Sequence, residues 1–270
     1  MPIPKVILAG AGPGDMDLVT IKLVNALKTA DYILVDRLVN QEIVNRYANQ
    51  NAEIINVGKQ GYTENSMDQI NINKLIVDHA LAGHQVLRLK GGDVGIFSNV
   101  LEEINALQEN NITYEIIPGI TAASGIAASL GIPLTGRDYA SGVEIISLAT
   151  HLIISELDYS HWANSKNTLV FYMSLAPLKN LVQKLLQFGA DKNKPVAIIE
   201  QGTTPFQRVT KTYLEQIDIV LEKQVFVSPT LIIIGDIVNR IQNLPPGINI
   251  NDSFFNSLDP KTKNIKIHAA

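Results

Sequence analysis

The chain has no cysteine among its 270 residues. That absence excludes disulfides, thiolate metal ligands and cysteine nucleophiles, and it accords with a reducing compartment. Histidine is sparse: His79, His84, His151, His161 and His268 show no HxxxH or HExxH spacing, so no metal is expected. Little charge of one sign accumulates either. A net charge of -4 and a pI near 5.7 argue against a surface that coats a polyanion, and nucleic acid is not expected as a partner. Long apolar runs are missing too. The opening "MPIPKVILAGAGPGDMD" has no basic segment and is cut by glycines and acids, so it reads as neither a signal peptide nor an anchor. "GITAASGIAASLGIPL" is shorter than a membrane span and rich in small residues. The expectation is a soluble, cytoplasmic protein with no membrane partner.

What is present is an ordinary globular composition, 46% hydrophobic and 18% charged, enough for one large domain or two smaller ones, with two expected. Short β-branched runs alternate with helical patterns, as strands alternate with crossover helices. "KVILAG", "DYILVD", "AEIINVGK", "QVLRLK" and "YEIIPG" read as strands of a mostly parallel sheet. Between them, "DLVTIKLVNALKTA" carries Asp17 near its start, "QEIVNRYA" is a short helix, and "MDQININKLIVDHALAG" has Ser66 or Asp68 as cap; "NVLEEINALQENN" is a further helix. Pro118-Gly119 then breaks the pattern and opens a small-residue helix, "ITAAS". "VEIISLAT", "TLVFYMS", the helix "APLKNLVQKLLQFG", "PVAIIEQG", "QRVTKTY" and "PTLIIIGDIV" suggest a second α/β domain with antiparallel strands admitted. The expected division is 1–117, 118–243 and a peripheral or disordered tail, 244–270, rich in Asn and Lys.

The first motif with chemistry in it is "GAGPGD", Gly10 to Asp15, directly after the first strand. Its glycines occupy every second position and Pro13 lacks an N–H, so it departs from the dinucleotide fingerprint G-x-G-x-x-G. A nicotinamide site, another nucleoside-type ligand and a purely structural turn all stay open. "RLKGGD" poses the same choice at the end of a later strand, since a Gly-Gly turn is also simply a tight turn.

In order, the chain carries "GAGPGD", "VDRLV", "VGK", "RLKGGD", "PGITAASG", "GIPLTGRDYA", "YMS" and "EQGT". With this series it resembles the tetrapyrrole (precorrin/corrin) methylases over roughly residues 5–240, and within them the branch that methylates uroporphyrinogen III. The resemblance implies two α/β domains, a mostly parallel N-terminal sheet and a mixed C-terminal sheet, with S-adenosylmethionine in the cleft between them and a homodimeric assembly. It implies C-methylation of uroporphyrinogen III at C2 and C7, giving precorrin-2 for sirohaem- or cobalamin-type biosynthesis and leaving S-adenosylhomocysteine. With the glycine loop starting at Gly10, the dehydrogenase-chelatase module of fused sirohaem synthases is expected to be absent.

Carried over position by position, the cofactor residues are Pro13, Gly91, Gly92, Asp93, Ile96, Thr121, Ala122, Met173 and Gly202. Glycine belongs where backbone must approach a ligand, an acid accepts from amine or hydroxyl groups, and the start of the "ITAAS" helix offers N–H groups to a carboxylate. The resemblance makes Asp36 of "VDRLV" the proton acceptor and Lys59 of "VGK" the donor. By residue type alone, Asp36 also reads as a helix cap and Lys59 as a solvated lysine. A substrate with eight carboxylates calls for cations at one place, and Arg37, Arg137 and Arg46 are the candidates, with Glu102 also on the substrate side.

The chain departs from the family pattern mainly at the substrate positions. Val94-Gly95 replaces a Pro-Phe pair, Asn99 replaces an arginine, Gly136 replaces a histidine, and "SLATHLIISELDYSHW" stands where the family reads "TGH". Two alternatives therefore stay open beside uroporphyrinogen methylation: a methylase of another tetrapyrrole, and a catalytically impaired relative acting as a cofactor-binding or regulatory module.

Overall fold

The computed structural model describes residues 5–58, 68–149, 153–242 and 254–256. The chain divides into two compact units, Met1–Ala122 with Phe254–Ala270, and Ala123–Ser253. Most of the expected tail, 244–270, lies outside the described residues.

Five parallel strands form the sheet of the first unit: β1 (Val6–Gly10), β2 (Tyr32–Val35), β3 (Glu53–Asn56), β4 (Val86–Lys90) and β5 (Tyr114–Ile117), in the order β3-β2-β4-β1-β5. Strand periodicity sends alternate residues to opposite faces, and both faces are covered. Ile7, Ala9, Ile33, Val35, Leu87 and Leu89 pack with α1 (Ile21–Thr29) and α2 (Gln41–Tyr47) through Leu23, Leu27 and Ile43. Val6, Leu8, Leu34 and Val86 face the other way, onto Ile72, Ile76 and Leu107 of α3 (Gln69–Leu81) and α4 (Val100–Glu109).

Local chemistry sets the helix starts. The α1 cap is Thr20, whose hydroxyl accepts from the Leu23 N–H at 3.1 Å. Asp17 lies too early for that role; it sits in a 3-10 turn, Met16–Leu18, where the Asp15 carboxylate accepts from the Asp17 N–H. Asp68 caps α3 through the Asn71 N–H; Ser66 lies outside the described residues. Asn40 caps α2, which leaves Asp36 without a capping role.

The second unit is a mixed sheet of β6 (Val143–Ser147), β7 (Thr168–Tyr172), β8 (Pro195–Glu200), β9 (Arg208–Tyr213) and β10 (Thr230–Ile234), in the order β6-β7-β10-β8-β9. β6 and β7 are parallel, while β10 runs antiparallel to β7 and β8, and β9 antiparallel to β8. α5 (Ala122–Ser129) leads into this unit, and α7 (Leu178–Gln187) supplies Leu181, Val182 and Leu185 to a core with Phe171, Ile198 and Ile232. Two helices that the sequence pattern does not announce complete it: α6 (Glu156–Asn164), with a Ser155–Asp158 capping box, and α8 (Ile217–Lys223). α6 is mostly polar, so little periodicity marks it, yet Trp162 anchors it edge-on to Phe171 at 5.5 Å.

Candidate active site

Parallel strands place all their carboxyl ends on one edge, and in open α/β sheets ligands bind outside that edge. In the first unit the loops after β1, β2, β4 and β5 bring Pro13, Asp36, Arg37, Gly91, Gly92, Asp93, Ile96 and Thr121 to this one edge. Ala122 follows as the first residue of α5.

Close backbone contact explains the glycines. Gly12 and Gly92 exchange two hydrogen bonds, at 3.1 and 2.7 Å, so the loops after β1 and β4 are joined main chain to main chain. A Cβ on Gly10 would stand 2.5 Å from the Gly92 carbonyl oxygen, and one on Gly119 would stand 2.2 Å from that same oxygen. Gly92 differs: its φ of +67° is left-handed, and a Cβ there would meet only the Ala122 nitrogen, at 3.9 Å. At Gly92, therefore, the left-handed backbone rather than crowding calls for glycine.

Asp93 holds this loop in shape. Its Oδ2 accepts from the Gly119 N–H at 2.8 Å and its Oδ1 from the Gly95 N–H at 2.7 Å, tying the β4 loop to the β5 loop. Part of the accepting capacity expected to serve a ligand is thus spent on the protein's own backbone. Val94 is fully buried in the core, whereas Ile96 and Phe97 are exposed beyond it. Phe97 and Asn99 both take positive φ, 52° and 57°, and Asn99 precedes α4 without a side-chain cap.

Under the same edge lies a buried charge cluster that sequence reasoning missed. Arg88 and Lys90 point to the α4 face of β4, at 2% and 3% exposure, and meet Glu103 at 1%. Glu103 Oε1 accepts from Arg88 Nε at 2.9 Å, and both its oxygens accept from Lys90 Nζ at 3.0 Å. Arg88 Nη1 donates to the carbonyls of Leu34 and Leu89, and its Nη2 lies 3.9 Å from Asp36 Oδ2. Burial is the largest influence on Lys90 and pushes its pKa below the usual lysine range; Glu103 pulls it back and Arg88 adds to the depression. Asp36 itself is half-buried, its Oδ1 accepting from the Arg37 N–H at 3.0 Å. The available signal was two cations at alternate positions of an otherwise apolar strand, both aimed at one face.

In the second unit, β6, β7 and β8 end at a common edge, where Met173 and Gly202 follow β7 and β8. Met173 is exposed with φ 52°, and Gln201 and Thr203 on either side of Gly202 take φ 47° and 64°; such backbone outliers cluster at functional sites. A Cβ on Gly202 would fall 2.3 Å from Ile126 Cγ1, so this glycine lets α5 pack against the β8 loop. The Tyr172 hydroxyl accepts from the Ala123 N–H at 2.6 Å, so one of the amides expected to serve a ligand carboxylate already has a protein partner.

Other expected residues stand apart. Arg137 is exposed in the loop before β6, Glu102 is exposed in the first turn of α4, and Arg46 lies over the Tyr47 ring at 5.4 Å with Nη1 3.8 Å from Met16 Sδ. Lys59 and His151 lie outside the described residues. Among the described residues, no group of three or more His, Asp or Glu is placed to hold a metal, and no helix is long and apolar enough to cross a membrane.

Comparison with known proteins places this geometry among relatives. The sequence pattern of the tetrapyrrole (corrin/porphyrin) methylases matches residues 5–218. A sirohaem synthase of Saccharophagus degradans is 42% identical over 240 residues, 89% of this chain and 52% of that protein; the chain spans about half the length of the curated relatives it matches. The native structure of uroporphyrin III C-methyltransferase from Thermus thermophilus is 33% identical with a TM-score of 0.73, covering 87% of this chain and 99% of that one. A second structure of that enzyme, in complex with S-adenosylhomocysteine, is 32% identical with a TM-score of 0.73, covering 90% and 97%. With the matched pattern spanning most of its length, and with one parallel and one mixed sheet, the chain belongs to the tetrapyrrole (corrin/porphyrin) methylases.

Proposed function

We propose that the protein transfers methyl groups from S-adenosylmethionine to C2 and C7 of uroporphyrinogen III, releasing S-adenosylhomocysteine and precorrin-2. Family membership and the Thermus thermophilus enzyme support this reading. The observation that carries it is the convergence of Gly10, Gly92 and Gly119 into a main-chain cradle at the same sheet edge as Asp36.

The cradle fits the cofactor: the missing side chain at Gly92 leaves room for a ligand to pack close against the main chain, and Asp93 holds that backbone still. Pro13, Gly91, Gly92, Asp93, Ile96, Thr121, Ala122, Met173 and Gly202 would hold it. When bound, the cofactor supplies a methyl group that is already a strong electrophile. The chain's task is positioning, with the pyrrole carbon held in line for attack. A proton must leave the methylated ring; Asp36 takes it at its carboxylate, and Lys59 serves as donor. Arg37, beside Asp36, and Arg137 attract the substrate carboxylates, with Glu102 on the substrate side. The protein works as a homodimer in the cytoplasm.

The test is to incubate the protein with S-adenosylmethionine and enzymatically prepared uroporphyrinogen III and to look for precorrin-2 or its oxidised fluorescent product. Product that forms far more slowly, at a residual but measurable rate, in Asp36→Asn supports the reading. Transfer only to another tetrapyrrole, or S-adenosylhomocysteine binding without transfer to any tetrapyrrole, would replace it with one of the two alternatives.

A further inference from the structure

The cluster beneath the sheet edge has a charge imbalance. Arg88 and Lys90 bring two cations into a space closed to solvent, and Glu103 brings one anion, fully buried between them. Isolated buried charge is strongly unfavourable, so an arrangement of this kind needs a further anion or a function that uses the excess. The described anion closest to completing the balance is Asp36, whose Oδ2 is 3.9 Å from Arg88 Nη2. Arg88 is held on three sides before it reaches Asp36: by Glu103 through Nε, and by the Leu34 and Leu89 carbonyls through Nη1. A guanidinium is planar, so fixing Nε and Nη1 fixes the direction of Nη2 as well.

We infer that Glu103 is a positioning residue: by anchoring Arg88 and Lys90 together it aims the Arg88 guanidinium at Asp36 and fixes the carboxylate at the sheet edge. The inference rests on the proposed role of Asp36 as proton acceptor. Glu103 touches neither substrate nor cofactor in this account and acts only through Arg88. Lys90 balances Glu103 and pins both its oxygens, so that the carboxylate cannot swing away from Arg88.

A double-mutant cycle between Glu103→Gln and Asp36→Asn tests this, with kcat, KM for the tetrapyrrole and S-adenosylhomocysteine affinity measured for each variant. Glu103→Gln should lower kcat about 10- to 100-fold, the scale of a misplaced catalytic group, with S-adenosylhomocysteine affinity unchanged. Combined with Asp36→Asn, it should add little further loss. Multiplying losses, or full activity in Glu103→Gln, would overturn the inference. Full activity in Asp36→Asn alone would instead overturn the reading of Asp36.

Because Glu103→Gln leaves two buried cations with no anion between them, the charge-balanced variant Lys90→Met/Glu103→Gln is measured beside it. This variant should regain thermal stability while kcat stays low, since Arg88 still lacks its anchor. Recovery of kcat together with stability would show that Glu103 serves only the fold, and would sink the positioning role.

Discussion

Gly10 and Gly119 meet main chain against main chain: a Cβ on Gly10 would lie 2.8 Å from the Gly119 nitrogen, and one on Gly119 would lie 2.8 Å from the Gly10 carbonyl carbon. Neither residue has a positive φ, so crowding rather than backbone conformation demands glycine at this contact. Gly119→Ala must push the β1 and β5 loops apart at Gly92 as well. A loss of about 1–3 kcal/mol is expected for such overpacking. Chemical denaturation should show it, and titration with S-adenosylhomocysteine should show weakened binding, because the displaced loops form the proposed cradle.

Asp93→Asn removes one of two accepting oxygens. Both are in use, toward Gly95 and Gly119, so the new amide NH2 would face an N–H in place of accepting from it. About 1–3 kcal/mol is expected to be lost if that N–H goes unpartnered. The KM for S-adenosylmethionine should rise more than kcat falls, since Asp93 shapes the loop. An unchanged KM would show that the loop holds its shape without this tie.

In the second unit, Gly202→Ala should destabilise through overlap with Ile126, which is buried. Truncating the neighbour to its Cβ removes the clashing Cγ1 and Cδ1: the losses of Gly202→Ala and Ile126→Ala are expected to be less than additive in the double variant, as for coupled sites in contact. Melting curves of the single and double variants provide the check.

Glu144 gives the second unit a pH dependence. Burial pushes its pKa up, but hydrogen bonds from Ser165, Asn167 and His161 outweigh burial and leave it below the usual glutamate value. A carboxylate depressed in the folded state contributes stability above its unfolded pKa of about 4.3 and loses that contribution as pH falls through the folded value. Glu144→Gln should therefore cost stability at neutral pH and flatten the acid limb of the stability–pH curve. Thermal melts from neutral pH down through the glutamate range would show it, and a parallel pair of curves would contradict it.

Much of the architecture was legible in the chain. β1 and β2 show as short apolar runs and β4 as a largely apolar one because parallel strands are buried on both faces, and the glycine loops after β1 and β4 show because close backbone approach and left-handed backbone favour glycine. Motif order, rather than any one loop, carried the family. α6 was not legible, since it is short and polar and is held by Trp162 and a capping box rather than by an apolar stripe. Asp36 offered two readings, and only the structure removed the cap, by giving that role to Asn40.

By itself, then, the sequence determined the alternation of strands and helices, the places where glycine is obligatory and the family to which the chain belongs. Tertiary structure alone decided the partners of the charged groups. Arg88 and Lys90 find Glu103 because α4 packs across β4, and they neighbour Asp36 because β2 lies beside β4 in the sheet. Local periodicity places a side chain on a face but cannot say which distant carboxylate that face will meet. That pairing depends on strand order and helix packing, which arise only when the whole unit folds.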